Sequence, residues 1–340
     1  MCGVCAARRH TVPVPTPRLP AARRLPLRTW LFTSVYDRIG HRAVDELTVE
    51  EIQRARAWAP PTRPPFTWVT WAVPAGVTIG AAGFTARDGY HVPVRFYRPR
   101  TRGPWPVVAF FHGGGWVKGT PRGYDPLCGF LADAVDALVL SIDYRLAPEF
   151  VAPQGVWDCV DAVRWVGAHV GPLGGDAERL AVCGDSAGGN LAAVVALVLR
   201  DEGGPRLVHQ ALLYPGVDAT MSFPSVAELA DAPMLTRREI VAYLHRYLDG
   251  SGLDPKDPLV SPLWADDLTG LPSALVQTAD LDPLRDEAEA YAARLADAGV
   301  GVRATNYLGA PHGFMSIPGV TPCAAQARLE LATELRRHLA

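Results

Sequence analysis

The sequence predicts an α/β protein: one mostly parallel central sheet flanked by helices, with a helical cap. Three observations carry this reading. From Trp105 onward, short continuous apolar runs rich in β-formers alternate with helical segments, the pattern of a parallel sheet covered on both faces. One such run leads into the glycine-bracketed turn Gly184-Asp185-Ser186-Ala187-Gly188 and then directly into a helical stretch. The segment between Pro215 and Pro272 is too long for a simple connection and carries a helical pattern of its own.

Taken in order, the first 36 residues hold six arginines, scattered prolines and no acid until Asp37. They lack the apolar stretch of a secretory signal, so residues 1–28 read as a disordered leader. Leu31 to Trp58 reads as helical, with an irregular stripe of Leu31, Val35, Ile39, Val44, Leu47 and Ile52. Pro60, Pro61, Pro64 and Pro65 break it, and strand-like runs follow, Val92–Tyr97 among them. The alternation then begins: strand Val107–Phe111, helix Leu127–Val135, strand Ala137–Ile142, helix Trp157–Val166, strand Leu180–Cys183 and helix Asn190–Leu199. It resumes with strand Val208–Tyr214, strand Ala274–Thr278, helix Asp286–Ala298, strand Val302–Asn306 and a last helix through Ala324–His338. One domain over residues 29–340 is expected, with the cap contributed by about 29–58 and 216–262, the latter including a helix near Arg237–Leu248.

Bulk properties narrow the function classes. A chain of 340 residues, 49% hydrophobic, can bury a large core without disulfides or metals. The formal net charge of −2 provides no field for nucleic acid or an anionic membrane. No apolar run approaches the ~18 residues of a membrane span, so stable membrane insertion is not expected. Cys128, Cys159 and Cys183 fall in apolar-periodic segments, where a thiol acts as a small hydrophobe. Cys2 and Cys5 form a lone C-x-x-C with no second pair at ligand spacing, so neither a metal nor a redox centre is expected. Nothing demands an oxidising compartment, and the protein reads as cytoplasmic.

The chemistry lies at strand ends. A strained strand-to-helix turn at Ser186 would lift its hydroxyl above the sheet, with Gly184 and Gly188 letting strand and helix approach. His112-Gly113-Gly114-Gly115-Trp116 follows the Val107–Phe111 strand. Three successive glycines there suit a backbone that aims N–H groups at an oxyanion, joined by the amide of Ala187. His112 itself reads as a structural partner of that loop. A serine hydroxyl needs an adjacent base. Of nine histidines, His312 stands on a loop after the last predicted strand and before the last helix, where the order Ser…Asp…His puts a base. The carboxylate orienting it follows the Ala274–Thr278 strand; spacing prefers Asp282 and leaves Asp280 open, while Asp286 reads as a first-turn helix acid.

These motifs together resemble the hormone-sensitive-lipase-like branch of α/β-hydrolases, which includes many bacterial carboxylesterases. The resemblance runs from about Asp88 to Ala340 and rests on His112–Trp116, Asp143-Tyr144-Arg145-Leu146-Ala147-Pro148-Glu149, Gly184–Asn190, Asp282-Pro283-Leu284 and His312-Gly313-Phe314. It implies the α/β-hydrolase fold, a triad of Ser186, Asp282 and His312 with Asp282 favoured over Asp280, and an oxyanion hole at Gly113–Gly115 and Ala187. It also implies a cap over the pocket, no cofactor, and small-molecule esters of short to medium acyl length as substrate. Trp116, Phe223, Met234 and Leu235 are the expected substrate contacts, and a homodimer is the alternative to a monomer. Asp143–Glu149 has no catalytic task and reads as a structural turn holding its arginine and glutamate at the sheet's edge. Two features depart from the family: the arginine-rich leader, and Phe150-Val151-Ala152-Pro153 in place of a histidine-proline-phenylalanine-proline stretch. A deacetylase, lactonase or acyltransferase with the same triad is the alternative enzyme, and a non-catalytic ligand binder the alternative outside enzymes.

Overall fold

The computed structural model describes residues 25–39, 42 and 44–340. Helices α1 (Leu27–Ile39), α2 (Val49–Ala57) and α3 (Phe66–Thr70) precede strands β1 (Thr78–Thr85), β2 (His91–Arg98) and β3 (Trp105–Phe111). Helix α4 (Asp125–Val135), β4 (Leu138–Ile142), α5 (Gln154–His169), β5 (Gly175–Asp185), α6 (Ala187–Glu202) and β6 (His209–Leu213) follow. After α7 (Pro224–Glu228) and α8 (Arg237–Leu248), the chain closes with β7 (Ser273–Leu281), α9 (Arg285–Asp297), β8 (Val302–Pro311) and α10 (Ala324–Leu339).

The eight strands form one sheet in the order β1-β2-β4-β3-β5-β6-β7-β8. Only the β1–β2 and β2–β4 pairings are antiparallel. The pleat of β3 shows why the strands read as continuous apolar runs. Val107, Ala109 and Phe111 face a core shared with α5, α6 and α9, while Val108 and Phe110 face one shared with α4 and α10. Parallel strands bring the C-terminal ends of β3, β5, β7 and β8 to one edge, where a ligand crevice belongs in an open α/β sheet.

The long N-terminal helix expected over Leu31–Trp58 is instead two helices with a 3₁₀ turn at Val44–Glu46 between them. A capping box explains the restart. The Thr48 hydroxyl accepts the Glu51 amide at 3.2 Å, and the Glu51 carboxylate accepts the Thr48 amide at 2.9 Å. Helix α1 also begins at Leu27, inside the stretch read as leader, and is anchored by the buried Thr29 hydroxyl donating to the Val320 carbonyl at 2.8 Å. The rest of that leader reading, with Cys2, Cys5 and His10, lies outside the described residues, as does His41.

The Asp143–Glu149 stretch is a strut. Arg145 pairs with the fully buried Asp158 of α5 at 2.5 Å and with Asp88 of the β1–β2 turn at 2.7 Å. Glu149 holds Arg56 of α2 at 2.9 Å. Helix α8 reaches the N-terminal segment through Arg238, paired with Asp45 and Glu46, and Arg246, which donates to the Leu47 carbonyl. Residues 44–57 and α8 thus pack on each other. No helix among the described residues is long and apolar enough to cross a membrane.

Candidate active site

Strand β5 ends at Asp185 and α6 begins at Ala187, so Ser186 alone makes the turn, with φ 55° and ψ −122°. A non-glycine residue in that region is strained. The turn persists because its surroundings fix it: the Ser186 amide donates to the Leu213 carbonyl of β6 at 2.8 Å. The bracketing glycines are required sterically. A Cβ at Gly184 would strike the Gly188 carbonyl, and one at Gly188 would strike the Phe111 carbonyl.

His312 follows β8 directly, and its Nε2 lies 2.8 Å from the Ser186 Oγ. Its Nδ1 lies 2.6 Å from Asp282 Oδ2, one residue past β7. Asp282 is fully buried, and its other oxygen accepts the Leu284 amide at 2.9 Å. With the Nδ1 hydrogen directed at the carboxylate, Nε2 is left to accept from the serine. Burial alone would lower the imidazole's pKa. The charge and hydrogen bond of Asp282, helped by Asp185 and Glu239, outweigh it, and the net shift is upward. Of the two aspartates that spacing left open, Asp280 points elsewhere: its Oδ2 accepts the Gly309 amide at 3.2 Å. Asp286 sits in the first turn of α9 and accepts the Ser225 amide and the Arg285 guanidinium.

The three-glycine loop does not act as one unit. Gly114 and Gly115 have φ of 124° and 62°, and no intramolecular hydrogen bond engages their amides among the described residues. Ala187 opens α6, where an amide has no partner within the helix. All three line the cavity that holds Ser186 and His312. Gly113 corrects the expectation. Its amide is spent on Asp185 Oδ1 at 2.7 Å and on the Tyr124 hydroxyl at 3.0 Å, so it is unavailable to a ligand. The Tyr124 hydroxyl in turn donates to Asp185 Oδ2 at 3.0 Å. His112 is fully buried; its Nδ1 donates to the Gly113 carbonyl at 2.9 Å, its ring stacks on Tyr144, and burial depresses its pKa to about 4.

The cavity is about 250 Å³. Trp116, Met234 and Leu235 line it as expected, with Tyr36 of α1 and Tyr243 of α8. Trp116 is held flat against Tyr247, ring centroids 4.5 Å apart and planes 4° from parallel. Phe223 is a second correction: it caps α7 and packs on the main core rather than lining the cavity. Its apolar character was explained by the core, which a sequence does not separate from a pocket wall. Tyr36, Tyr124, Tyr214, Tyr243 and Glu287 are among the residues of the site that went unrecognised. Tyr214 has φ 38° and sets its ring edge against His312, with centroids 5.0 Å apart. Glu287 stands in the first turn of α9, where an acid is ordinary, so the sequence carried no signal for it. Among the described residues no group of three or more metal-ligating side chains comes together.

Known proteins similar to this chain are ester hydrolases. The α/β-hydrolase-fold family matches residues 108–316. Carboxylesterase NlhH of Mycobacterium tuberculosis is 44% identical over 265 residues, 77% of this chain and 82% of its own. Ethyl acetate hydrolase of Pseudomonas putida is 36% identical over 267 residues, 77% of this chain and 83% of its own. The crystal structure of a thermostable esterase from Pseudomonas putida superposes with a TM-score of 0.84 at 32% identity, covering 94% of this chain and 99% of that one. The chain therefore belongs to the α/β-hydrolase family, in its hormone-sensitive-lipase-like branch of ester-hydrolysing enzymes.

Proposed function

We propose that the chain hydrolyses short- to medium-chain acyl esters through an acyl-enzyme on Ser186. The observation that carries this reading is the continuous relay from Asp282 through His312 to Ser186, at 2.6 and 2.8 Å. His312 takes the serine proton as Oγ attacks the ester carbonyl, and Asp282 holds the imidazole in the accepting tautomer and stabilises the imidazolium. The amides of Gly114, Gly115 and Ala187 receive the oxyanion; Gly113 anchors the loop. His312 then protonates the departing alcohol, and water repeats the sequence on the acyl-enzyme. Neither step calls for a metal or an organic cofactor.

A single α/β-hydrolase domain over residues 29–340 is part of the proposal, with 29–58 and 216–262 as its cap. The contribution of Tyr36, Leu235 and Tyr243 to the cavity wall supports that division. The small cavity and the likeness to an ethyl acetate hydrolase support short acyl groups. A cytoplasmic setting accords with Cys128, Cys159, Cys183 and Cys323 standing as free thiols. The test is hydrolysis of p-nitrophenyl esters from acetyl to dodecanoyl by the native protein and by Ser186→Ala. Turnover that peaks at short chains and vanishes in the variant is expected; turnover that survives the substitution would remove the serine mechanism.

A further inference from the structure

We propose that Tyr243 and Tyr247 of α8 are positioning residues for the oxyanion loop, clamping Gly115 and Trp116 so that the loop's free amides stay aimed at the reacting carbonyl. The inference rests on the reading of Ser186 as the nucleophile and of Gly114, Gly115 and Ala187 as the oxyanion donors.

The two tyrosines stand four residues apart on one helix, so their rings leave the same face one above the other. They meet consecutive residues of the loop. A Cβ built on Gly115 would fall onto Cγ and Cδ1 of Tyr243, so that ring lies directly against the Gly115 backbone. Glycine is required there to admit it. Tyr247 lies flat on the Trp116 indole, with centroids 4.5 Å apart and planes 4° from parallel. Trp116 Nε1 and the Tyr247 hydroxyl are both buried and meet no hydrogen-bond partner. Stacking of the rings, and not a hydrogen bond, therefore fixes the second contact. Further along the loop, the Lys118 ammonium lies 5.9 Å from the Tyr243 ring centroid, within cation–π reach.

The loop needs this support. Gly114, Gly115 and Trp116 have φ of 124°, 62° and 58°, and at Trp116, which is not glycine, that region is uncommon. Such a conformation persists only where its surroundings over-determine it. Two bonds hold the loop by its carbonyls: Gly114 accepts the Lys118 amide at 2.8 Å, and Trp116 accepts the Ala147 amide at 2.9 Å. The tyrosines hold it by the Gly115 backbone and the Trp116 indole. Helix α8 is itself anchored, since Arg238 pairs with Asp45 and Glu46, Arg246 donates to the Leu47 carbonyl, and the Tyr247 carbonyl accepts the Ala152 amide at 2.9 Å. A helix of the proposed cap thus sets the place of the oxyanion donors. Precision there matters, because a misplacement of about 1 Å can cost about 10²-fold in rate.

The experiment uses p-nitrophenyl acetate and hexanoate as substrates and ethylboronic acid as a probe of the tetrahedral state. The Ser186 Oγ gives an electron pair to boron while its proton passes to His312, forming a tetrahedral anion with no bond broken at boron. Tyr243→Leu and Tyr247→Leu are each expected to lower kcat roughly 10- to 100-fold, short of the ~10²–10³ for losing a donor outright. Ki for the boronic acid should rise by the same factor, while KM stays within about threefold of the native value. Tyr243→Phe and Tyr247→Phe restore the ring and should recover kcat and Ki to within about threefold. Should Tyr247→Leu fail to fold, Tyr243→Leu, at the cavity wall, decides alone. A fall in kcat with Ki unchanged would mark a loss of active protein. A loss carried by KM, or confined to one of the two esters, would make Tyr243 a pocket wall only. Either result would overturn the clamp and leave the serine mechanism standing. A native protein that neither binds the boronic acid nor hydrolyses either ester would overturn the ester-hydrolase reading, and this inference with it.

Discussion

His312 and Asp282 are bound through Nδ1 and Oδ2 at 2.6 Å, while the other carboxylate oxygen is held by the Leu284 amide. The carboxylate therefore cannot turn away, and the imidazole keeps one orientation toward Ser186. Burial works against the imidazolium, yet Asp282, Asp185 and Glu239 together raise its pKa above the ordinary 6.5. The base must be neutral to act, so activity is lost as pH falls through that raised value. The acid limb of kcat/KM should have its midpoint above 6.5. In Asp282→Asn the limb should move to lower pH and the rate should drop by about 10⁴-fold, since the amide no longer enforces the tautomer. A limb that stays in place in this variant would mean that the pairing does not set the base's pKa.

Asp185 ties the Gly113 amide and the Tyr124 hydroxyl into one knot beneath the oxyanion loop. Cutting that knot with Asp185→Ala should lower kcat by about 10- to 100-fold with little change in KM, less than the ~10²–10³ expected for losing an oxyanion donor itself. Equal losses in kcat and binding would argue against a role specific to the transition state. A second consequence concerns stability. Burial raises the Asp185 carboxyl from 3.8 to about 6 in the folded protein. The native state thus retains a proton that the unfolded chain releases, and this contribution is lost as pH climbs from about 4 through 6. Asp185→Asn should flatten the melting temperature across that window, read by circular dichroism.

Arg145 and Asp158 form a buried ion pair remote from the cavity, with Asp158 fully inaccessible. Removing one partner leaves a buried charge uncompensated, which costs about 3–5 kcal/mol. Asp158→Ala should therefore lower the melting temperature clearly, while kcat/KM measured well below the melt stays within a few-fold of native. An unchanged melting temperature would show that Arg145 finds sufficient compensation in Asp88.

These cases show which parts of the molecule a sequence discloses. The sheet was legible because strands such as β3 bury both faces and read as unbroken apolar runs. Ser186 and the bracketing glycines were legible because their turn tolerates so few residue types. The choice between Asp282 and Asp280 turned on side-chain direction two residues apart at a strand end, which spacing encodes only weakly. Gly113 was misjudged because three identical residues carry no mark of which amide is already bonded. Tyr124 comes from a different element and meets Asp185 only in the folded chain. Capping at Thr48 was a local signal available in the sequence, and it split a helix that the apolar stripe alone ran together.

Leu235 and Phe223 separate two meanings of an apolar side chain in the cap region. Leu235 clusters with Ile240 and Leu284 and lines the cavity, whereas Phe223 packs on the main core outside it. Truncating Leu235 to alanine removes methyl-bearing atoms from the wall facing Ser186, and each methylene a pocket accommodates is worth about 1–3 kcal/mol in discrimination. Across p-nitrophenyl esters, Leu235→Ala should shift the preferred acyl chain longer by about two carbons, with kcat/KM for hexanoyl over acetyl rising roughly tenfold. Phe223→Ala should leave the profile in place and lower the melting temperature, because its loss is a core cavity and not an enlarged pocket. An unchanged profile in Leu235→Ala would mean that the acyl chain runs along another wall, and a shifted profile in Phe223→Ala would mean that the cap repacks around its loss.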